Sequence, residues 1–409
     1  MTDADELLAA AQKLDAADPL AGYRNRFLEA DGVSSYLDGN SLGRPLRATA
    51  EHLQDFVRYQ WGGRLIRGWD EEWLDLPQRI GDALGAAALG AAAGQCIVAD
   101  STTVLLYKLG RAAVAARPGR TEIVLDADNF PTDRYVMEGI ADECGLTLRW
   151  VAADYDGGVT AEAVAEAVGP QTALAVFSHV AYRSGFLADA AAITAAVHDA
   201  GALVLWDLCH SAGAVPAQLD AWNVDYAVGC SYKYLNGGPG APAWAYVARR
   251  HQETFVQPIQ GWLGSADPFG MAPGYTPAAG IPRLVSGTPP VLGMLPMQDM
   301  ISLLAEAGID AVRAKSVALT EYALTAVDAL LAPYGVVVAS PRAAERRGSH
   351  ITIDHPAFKA VTAALWKQGI IPDYRNPEGI RLGLSPLSTS FEETFTGIAA
   401  VLAELRSRS

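Results

Sequence analysis

Between residues 96 and 248, short apolar runs rich in β-branched residues recur, most of them separated by room for one helix. The runs at 96–99, 121–125, 146–151, 172–177, 203–206, 225–229 and 243–248 read as strands. Helical patterns at 77–93, 102–117, 132–144, 160–168 and 189–200 lie before or between the first five. Runs that are apolar on both faces suit a sheet covered on both sides, and helical crossovers make such a sheet parallel. The expected class is therefore α/β, with a large, doubly wound, mostly parallel sheet. Ligands in such folds sit beyond the carboxyl ends of the strands. The residues directly after each run are where chemistry is expected.

One stretch there stands out. The run 202–206 ends in Asp207, with His210 three residues on. A second apolar run, 226–229, leads to Ser231-Tyr232-Lys233-Tyr234 and then Gly237, Gly238 and Gly240. The spacing, 233 − 207 = 26 residues, allows one connection and one strand, so both groups reach the same sheet edge. A carboxylate and a lysine so placed suit pyridoxal 5'-phosphate. The lysine forms a Schiff base with the aldehyde, and the carboxylate keeps the pyridine nitrogen protonated. Taken singly, such an Asp is more often a cap or turn residue and such a Lys is solvated.

Other strand ends add to the pair. Asp100-Ser101-Thr102-Thr103 opens a helix, where hydroxyls and free N–H groups cradle an anion such as the cofactor phosphate, or simply cap the helix. Asn129-Phe130-Pro131-Thr132-Asp133 offers a ring to stack on a pyridine face, or a proline-initiated helix. Ser178-His179 ends a further strand; Ser178 is placed to touch the cofactor, while His179 reads better as a buried, backbone-bonded histidine. Arg381, inside the apolar run 380–384, needs an anion. A substrate carboxylate and an internal salt bridge both answer that need.

The flanking regions are less regular. Residues 5–30 and 46–60 look helical, and Tyr36-Leu37-Asp38-Gly39-Asn40-Ser41-Leu42-Gly43 reads as a shaped loop, either a plain turn or substrate-facing. Residues 61–73 are rich in Trp, Arg and Gly, as at an active site or interface, though Trp73 reads as packing. Residues 257–290 form a long Pro- and Gly-rich loop whose Trp262, Phe269 and Tyr275 argue against disorder. A helical region at 292–334 precedes strands at 335–340, 350–355 and 380–384 and helices at 356–369 and 391–406. Three regions follow: an N-terminal segment (1–60) packed on the small domain, a large cofactor-binding domain (61–290), and a small C-terminal α/β domain (291–409).

Composition narrows the partners. The net charge of −15 disfavours nucleic acid and anionic membranes, which need a basic face. The four cysteines lack paired short spacing, so neither a zinc site nor a disulfide framework is indicated. The first residues lack the features of a signal peptide, and no run is long enough to span a membrane. A cytoplasmic location is expected.

The chain resembles the kynureninases, pyridoxal phosphate hydrolases of fold type I. The resemblance runs from Tyr36–Gly43 through Phe130-Pro131-Thr132-Asp133, Trp206–His210, Ser231-Tyr232-Lys233-Tyr234-Leu235-Asn236 and Gly261-Trp262 to Arg381. It implies that Lys233 binds the cofactor aldehyde, Asp207 pairs with the ring nitrogen and Phe130 stacks on the ring. Thr102, Thr103, Asp133, Ser178, His210 and Tyr232 would line the cofactor. Trp262 and Thr288 would reach a site built across a homodimer interface. Arg381 would take the substrate carboxylate, with Asn40 and Trp69 beside it. The implied reaction is hydrolysis of the Cβ–Cγ bond of L-kynurenine to anthranilate and L-alanine, in tryptophan catabolism, with Lys233, Tyr232 and Asp207 as the catalytic groups. The family commonly has His at the position of Ser265 and Asn at that of Leu105. Alternatives within the fold are 3-hydroxykynurenine, another aryl or acyl amino acid, or aminotransferase or desulfurase chemistry. A desulfurase needs a nucleophilic cysteine well after the lysine, and here all four precede it. A cofactor-binding regulator is disfavoured by the lack of any basic DNA-binding segment.

Overall fold

The computed structural model describes residues 3–408. In chain order its strands are β1 (Ser35–Leu37), β2 (Cys96–Ala99), β3 (Glu122–Asp126), β4 (Thr147–Val151), β5 (Thr172–Ser178), β6 (Leu203–Asp207), β7 (Tyr226–Gly229), β8 (Ala243–Val247), β9 (Val337–Val338), β10 (His350–Asp354), β11 (Ile370–Arg375) and β12 (Gly379–Gly383). Strands β2 to β8 form one sheet in the order β2-β8-β7-β6-β5-β3-β4. Only β8 runs against its neighbours β2 and β7; the other pairs are parallel. The expected strands of this sheet hold to within a residue or two.

Side-chain alternation explains why these runs are apolar throughout. Ile123, Leu125, Leu174, Val176, Leu203 and Leu205 face helices Thr102–Ala115 and Pro131–Cys144, sharing a core with Leu105, Leu109, Met137 and Ile140. Val124, Ala175, Phe177, Val204 and Trp206 face the other way, onto Leu84, Ile193, Val197, Met294 and Leu304. With both faces covered, neither set of positions tolerates polar side chains. From β3 the chain first moves outward to β4, then back across β3 to β5, β6 and β7. That reversal opens a crevice at the carboxyl ends of β3, β5 and β6.

The second sheet has the order β1-β11-β12-β10-β9. Its core contains Leu37, Leu319, Ile351, Ile353, Phe358, Ile380, Leu382 and Ile398. Two of its strands were not foreseen. The stretch 36–43, expected to be loop throughout, begins as β1 and pairs in parallel with β11. β11 itself contains Pro372, a residue that argues against a strand.

The helices also depart from expectation. Residues 5–30 hold a helix only over Asp3–Ala17, and Pro19 precedes a 3₁₀ turn at Ala21–Arg26. The region 292–334 is two helices, Val291–Ala307 and Ile309–Leu330, broken at Gly308, whose φ of 79° suits glycine. The first packs on the large sheet, whereas the second spans from Val312 in that core to Leu319 in the other. Arg47–Asp55 widens into a π-turn at Phe56–Trp61, and Trp69–Trp73 is another. Among the described residues no helix is long and apolar enough to cross a membrane.

Candidate active site

β6 ends on Asp207, and β7 leads through Cys230 to the turn bearing Lys233. The 26-residue separation is spent on a helix-free connection and one strand. It brings Asp207 and Lys233 into one cavity of about 130 Å³, whose wall also includes Thr102, Thr103, Phe130, Asp133 and Tyr232. The lysine turn is held from outside. Asn236 Nδ2 donates to the Arg44 carbonyl at 2.7 Å, and the Gly43 N–H donates to the Tyr232 carbonyl at 2.8 Å. A Cβ on Gly43 would lie 2.4 Å from the Lys233 carbonyl oxygen, so only glycine permits this approach. Tyr234 is buried and donates to the Ser349 carbonyl at 3.1 Å. The Tyr-Lys-Tyr-Leu-Asn pattern is thus a set of ties between the turn and the segments around it.

Charge in this cavity is unbalanced. Asp207, Asp133 and Asp126 are all buried, with Lys233 as the ammonium among them. Asp207 Oδ1 accepts the Cys209 N–H at 2.6 Å. Asp133 Oδ2 is buried without a partner. Burial, then the Asp207 charge, holds the Asp133 carboxyl well above the usual carboxylate range. Burial pushes Asp126 up to about 7. Lys233 Nζ lies 3.2 Å from His210 Nε2 and 5.7 Å from the Phe130 ring centroid. Burial and the Lys233 charge hold His210 well below the usual histidine range, so it is neutral at pH 7. His350, 5.7 Å from His210 between ring centroids, is kept neutral by burial too.

At the other end of the cavity Ser101 caps helix Thr102–Ala115, its Oγ accepting the Val104 N–H at 3.4 Å. Asp100 precedes it with φ of 47°, and its Oδ2 is 2.6 Å from Nζ of the buried Lys108. Lys108 also donates to the Leu284 carbonyl at 2.8 Å, so this turn is pinned from below. Asn129 sets the third side. Its Oδ1 accepts the Phe130 N–H and the Ser178 hydroxyl, each at 2.8 Å. Ser178 therefore stands behind Phe130, outside the cavity wall. His179 points away, between Trp206 and Trp222, where burial lowers its pKa to about 4.

Arg381 finds its anion within the chain. Nε and Nη2 lie 2.7 and 2.5 Å from Asp373 Oδ2, Nη1 donates to the Tyr182 carbonyl at 2.6 Å, and Nη2 to Ser41 Oγ at 2.9 Å. Asn40, next to Ser41, is fully buried with no partner on either amide atom. A Cβ on Gly383 would come 1.9 Å from Asn40 Oδ1, so glycine is required beneath it. Burial, with the charge of Asp373, raises Asp38 to about 6.

The remaining predicted residues lie outside this cavity in a single chain. Trp69 packs edge-on to Trp73, ring centroids 5.3 Å apart. Trp262 is 45% exposed and meets Phe269. Thr288 lines an adjoining cavity with Ser101 and Tyr232, and also an apolar groove of about 490 Å³ with Trp61, Leu65, Ile66 and Trp69. Ser265 donates to the Trp262 carbonyl at 2.7 Å, and Leu105 is buried in the sheet-facing core.

Comparison with known proteins places this geometry. Residues 312–401 match the family model described as the kynureninase C-terminal domain. Kynureninase of Pseudomonas fluorescens is 40% identical over 416 aligned residues, covering 100% of this chain and 96% of its own. The chain belongs to the kynureninase family. Kynureninase of Burkholderia pseudomallei strain 1106a is 40% identical over 395 residues, covering 95% of this chain and 93% of its own. Among solved structures, an apo cysteine desulfurase from Thermococcus onnurineus NA1 superimposes with a TM-score of 0.83 at 16% identity, over 94% of this chain and 98% of its own. The cystine C–S lyase C-DES, in complex with cysteine persulfide, gives 0.78 at 19% identity, over 90% and 97%. At those identities the likeness speaks to the fold alone, here a fold-type I α/β architecture with a mostly parallel sheet.

Several residues near the cavity and Arg381 had no role assigned from the sequence: Asn129, Lys108, Asn236, Asp373 and the pair Cys209 and Cys230. An Asp or Asn at a strand end carries no mark of its partner, and Lys108 sits in a helix pattern that reads as ordinary. Lys108 alone left a trace, since its position one turn after Leu105 falls on the buried helix face.

The raised Asp133 carboxyl has a consequence for stability. A carboxyl whose folded pKa lies above its unfolded value destabilises the fold as pH rises past the unfolded value, and the loss is complete above the folded one. In cofactor-free protein, Asp133→Asn is therefore expected to melt higher than the parent at pH 7, with the difference shrinking towards pH 4. Melting curves across that range test it; a variant that melts lower at neutral pH contradicts the assignment.

Proposed function

We propose that this enzyme hydrolyses the Cβ–Cγ bond of L-kynurenine to anthranilate and L-alanine, with pyridoxal 5'-phosphate held at Lys233, in tryptophan catabolism. The observation that carries the reading is the cavity joining Lys233, Asp207 and the unpartnered Asp133 in a chain of this family. The residues fit the cofactor. Asp207 and Asp133 are two buried carboxyls beside one ammonium, and a protonated pyridine nitrogen would supply the cation that lets Asp133 release its proton. The first turn of helix Thr102–Ala115 offers N–H groups and the Thr102 and Thr103 hydroxyls to a phosphate. When bound, the cofactor supplies a sink for electrons released at the substrate α-carbon.

The chain's own groups divide the remaining work. Lys233, beside the neutral His210, is placed to take the proton from the α-carbon. Burial raises the Tyr232 phenol above its usual range, so it keeps its proton and serves as donor to the β-carbon. Arg381, aimed by Asp373, receives the α-carboxylate, with Ser41 and the unpaired Asn40 amide beside it. Water adds at the γ-carbonyl, and the Cβ–Cγ bond breaks. Borohydride reduction of the loaded enzyme, followed by peptide mapping, is expected to label Lys233, and Lys233→Ala to abolish both label and anthranilate release. A label on another lysine, or release of alanine without anthranilate, sinks the assignment.

A homodimer with composite sites is part of the proposal. Its support is the exposed apolar groove that joins Trp61, Leu65, Ile66 and Trp69 to Thr288, together with Trp262 lying outside its own chain's cavity. Mixing inactive Lys233→Ala and Trp262→Ala chains is expected to recover part of the activity, because one site per mixed dimer carries neither change. A fully active monomer by sedimentation argues the other way. A cytoplasmic location belongs to the same reading and is checked by cell fractionation.

Substrate choice turns on Thr288. The animal enzymes of this family, which favour the 3-hydroxy substrate, carry Asn at the matching position. Thr presents a shorter hydroxyl and a methyl, so an unsubstituted ring leaves less polar surface unpaired. The expected result is a higher kcat/KM for L-kynurenine than for 3-hydroxykynurenine, with Thr288→Asn narrowing the gap. The opposite order in the parent enzyme overturns it.

A further inference from the structure

Two thiols stand side by side in the wall of the cofactor cavity. β6 and β7 pair with a constant offset: Leu205 with Tyr226, Trp206 with Ala227, Asp207 with Val228. Carried two residues past the last pair, Asp207 with Val228, the offset 230 − 209 = 21 sets Cys209 opposite Cys230. The hydrogen bonds agree. The Cys230 N–H donates to Cys209 Sγ at 3.2 Å, and Cys230 Sγ is 3.9 Å from the Cys209 carbonyl oxygen. Neighbouring strands lie about 5 Å apart, within the Cα separation that a disulfide spans. Both are free thiols, buried from bulk solvent, yet both line the cavity.

We propose that Cys209 and Cys230 are an oxidisable pair, and that their disulfide closes the cavity to the cofactor. The proposal rests on reading this cavity as the cofactor site. The oxidant is hydrogen peroxide, small enough to enter by the same opening. The Cys230 thiolate attacks one peroxide oxygen; the O–O bond breaks, leaving a sulfenic acid and hydroxide. Cys209 then attacks the Cys230 sulfur, the S–S bond forms, and the sulfenic oxygen leaves as water with the two protons released by the thiols accounted for in two waters. Two thiols are oxidised and one peroxide is reduced. The surroundings favour this order of events. Burial disfavours the Cys230 thiolate, but the hydrogen bond from Cys209 and the nearby Lys233 ammonium outweigh it and lower its pKa, while that same hydrogen bond raises Cys209.

The link acts on the site through the Cys209 backbone. Its N–H is the group that clamps Asp207 Oδ1, and its Sγ lies 4.0 Å from Thr102 Oγ1. Drawing Cys209 towards β7 moves the Asp207 clamp and the wall facing Thr102 together. A bound cofactor covers the same wall and shields the thiols.

The test treats cofactor-free and cofactor-loaded protein with hydrogen peroxide. It reads non-reducing peptide maps and pyridoxal phosphate binding by absorbance titration. In the cofactor-free protein, a peptide joining Cys209 to Cys230 is expected. Cofactor affinity should fall about tenfold or more, and dithiothreitol should reverse both changes. Loaded protein is expected to give little of the joined peptide. Cys209→Ser and Cys230→Ser should form none, and peroxide should not alter each variant's own cofactor affinity. Absence of the joined peptide from cofactor-free protein, or its presence with unchanged affinity, overturns the proposal while leaving borohydride labelling of Lys233 intact. Untreated protein that never takes up the cofactor overturns both readings.

Discussion

An ammonium group taken out of water must find acceptors there, and much of the large sheet's carboxyl edge is arranged around that demand. Lys233 is 8% exposed, and its close neighbours are a neutral histidine and an aromatic ring. Asp207 and Asp133, delivered from the end of β6 and the segment after β3, stand in the same cavity and feel its charge. A charged Asp207 and a charged Lys233 are each easier to bury in the other's presence. One ammonium balances one carboxylate, so the second carboxyl, Asp133, keeps its proton until a further cation enters. The arrangement accounts for both the proton kept on Asp133 and the suitability of the site for a protonated ring nitrogen.

Several other buried charges are closely paired. Asp225 accepts from Arg250, His251, His198 and the Val204 N–H, all between 2.6 and 2.9 Å, which depresses its pKa despite burial. Lys108 is shared between Asp100 and the Leu284 carbonyl. Lys315 Nζ lies 2.6 Å from Asp18. These groups fix loops against helices and have little left to offer a ligand. Asp133 Oδ2 and the Asn40 amide differ from these: they are buried without a partner and stand beside Asp207 and Arg381, where a ligand can reach them. Arg381 lies between the two cases: Asp373 aims it, and Ser41 shows where one of its donors remains accessible to exchange.

The larger sheet was legible in the sequence because both of its faces are buried. Runs such as Leu203-Val204-Leu205-Trp206 have no polar alternative, and a single helix separates most of them. Asp207, Lys233 and the Thr102 turn were legible for a related reason, since a polar residue ending an apolar run is conspicuous. Strands β1 and β11 were not. β1 is three residues long and begins a loop-like sequence, and β11 contains a proline; each exists because the other is there to pair with it. The break at Gly308 was hidden by apolar residues that serve one core before it and another after it. The roles of Asn129, Asn236 and Asp373 depend on partners 47 to 192 residues away or on register, and no local pattern records them.

The same reasoning separates two kinds of site residue. Lys233, Asp207, Asp133, Phe130 and Thr102 are brought together by one sheet edge, and a single chain suffices to assemble them. Trp69, Trp262 and Thr288 sit on segments without regular sheet partners; Trp69 and Thr288 line an apolar groove that this chain leaves uncovered, and Trp262 is exposed on a loop outside it. Apolar side chains such as Ile66, 76% exposed, and Leu65, 60% exposed, gain roughly 1.5–3 kcal/mol each when fully buried. A second copy seated there would gain that burial and carry the loop containing Trp262 along with it. The chemistry-bearing half of the site would then be fixed by the fold of one chain, and the half that recognises the substrate ring by the association of two.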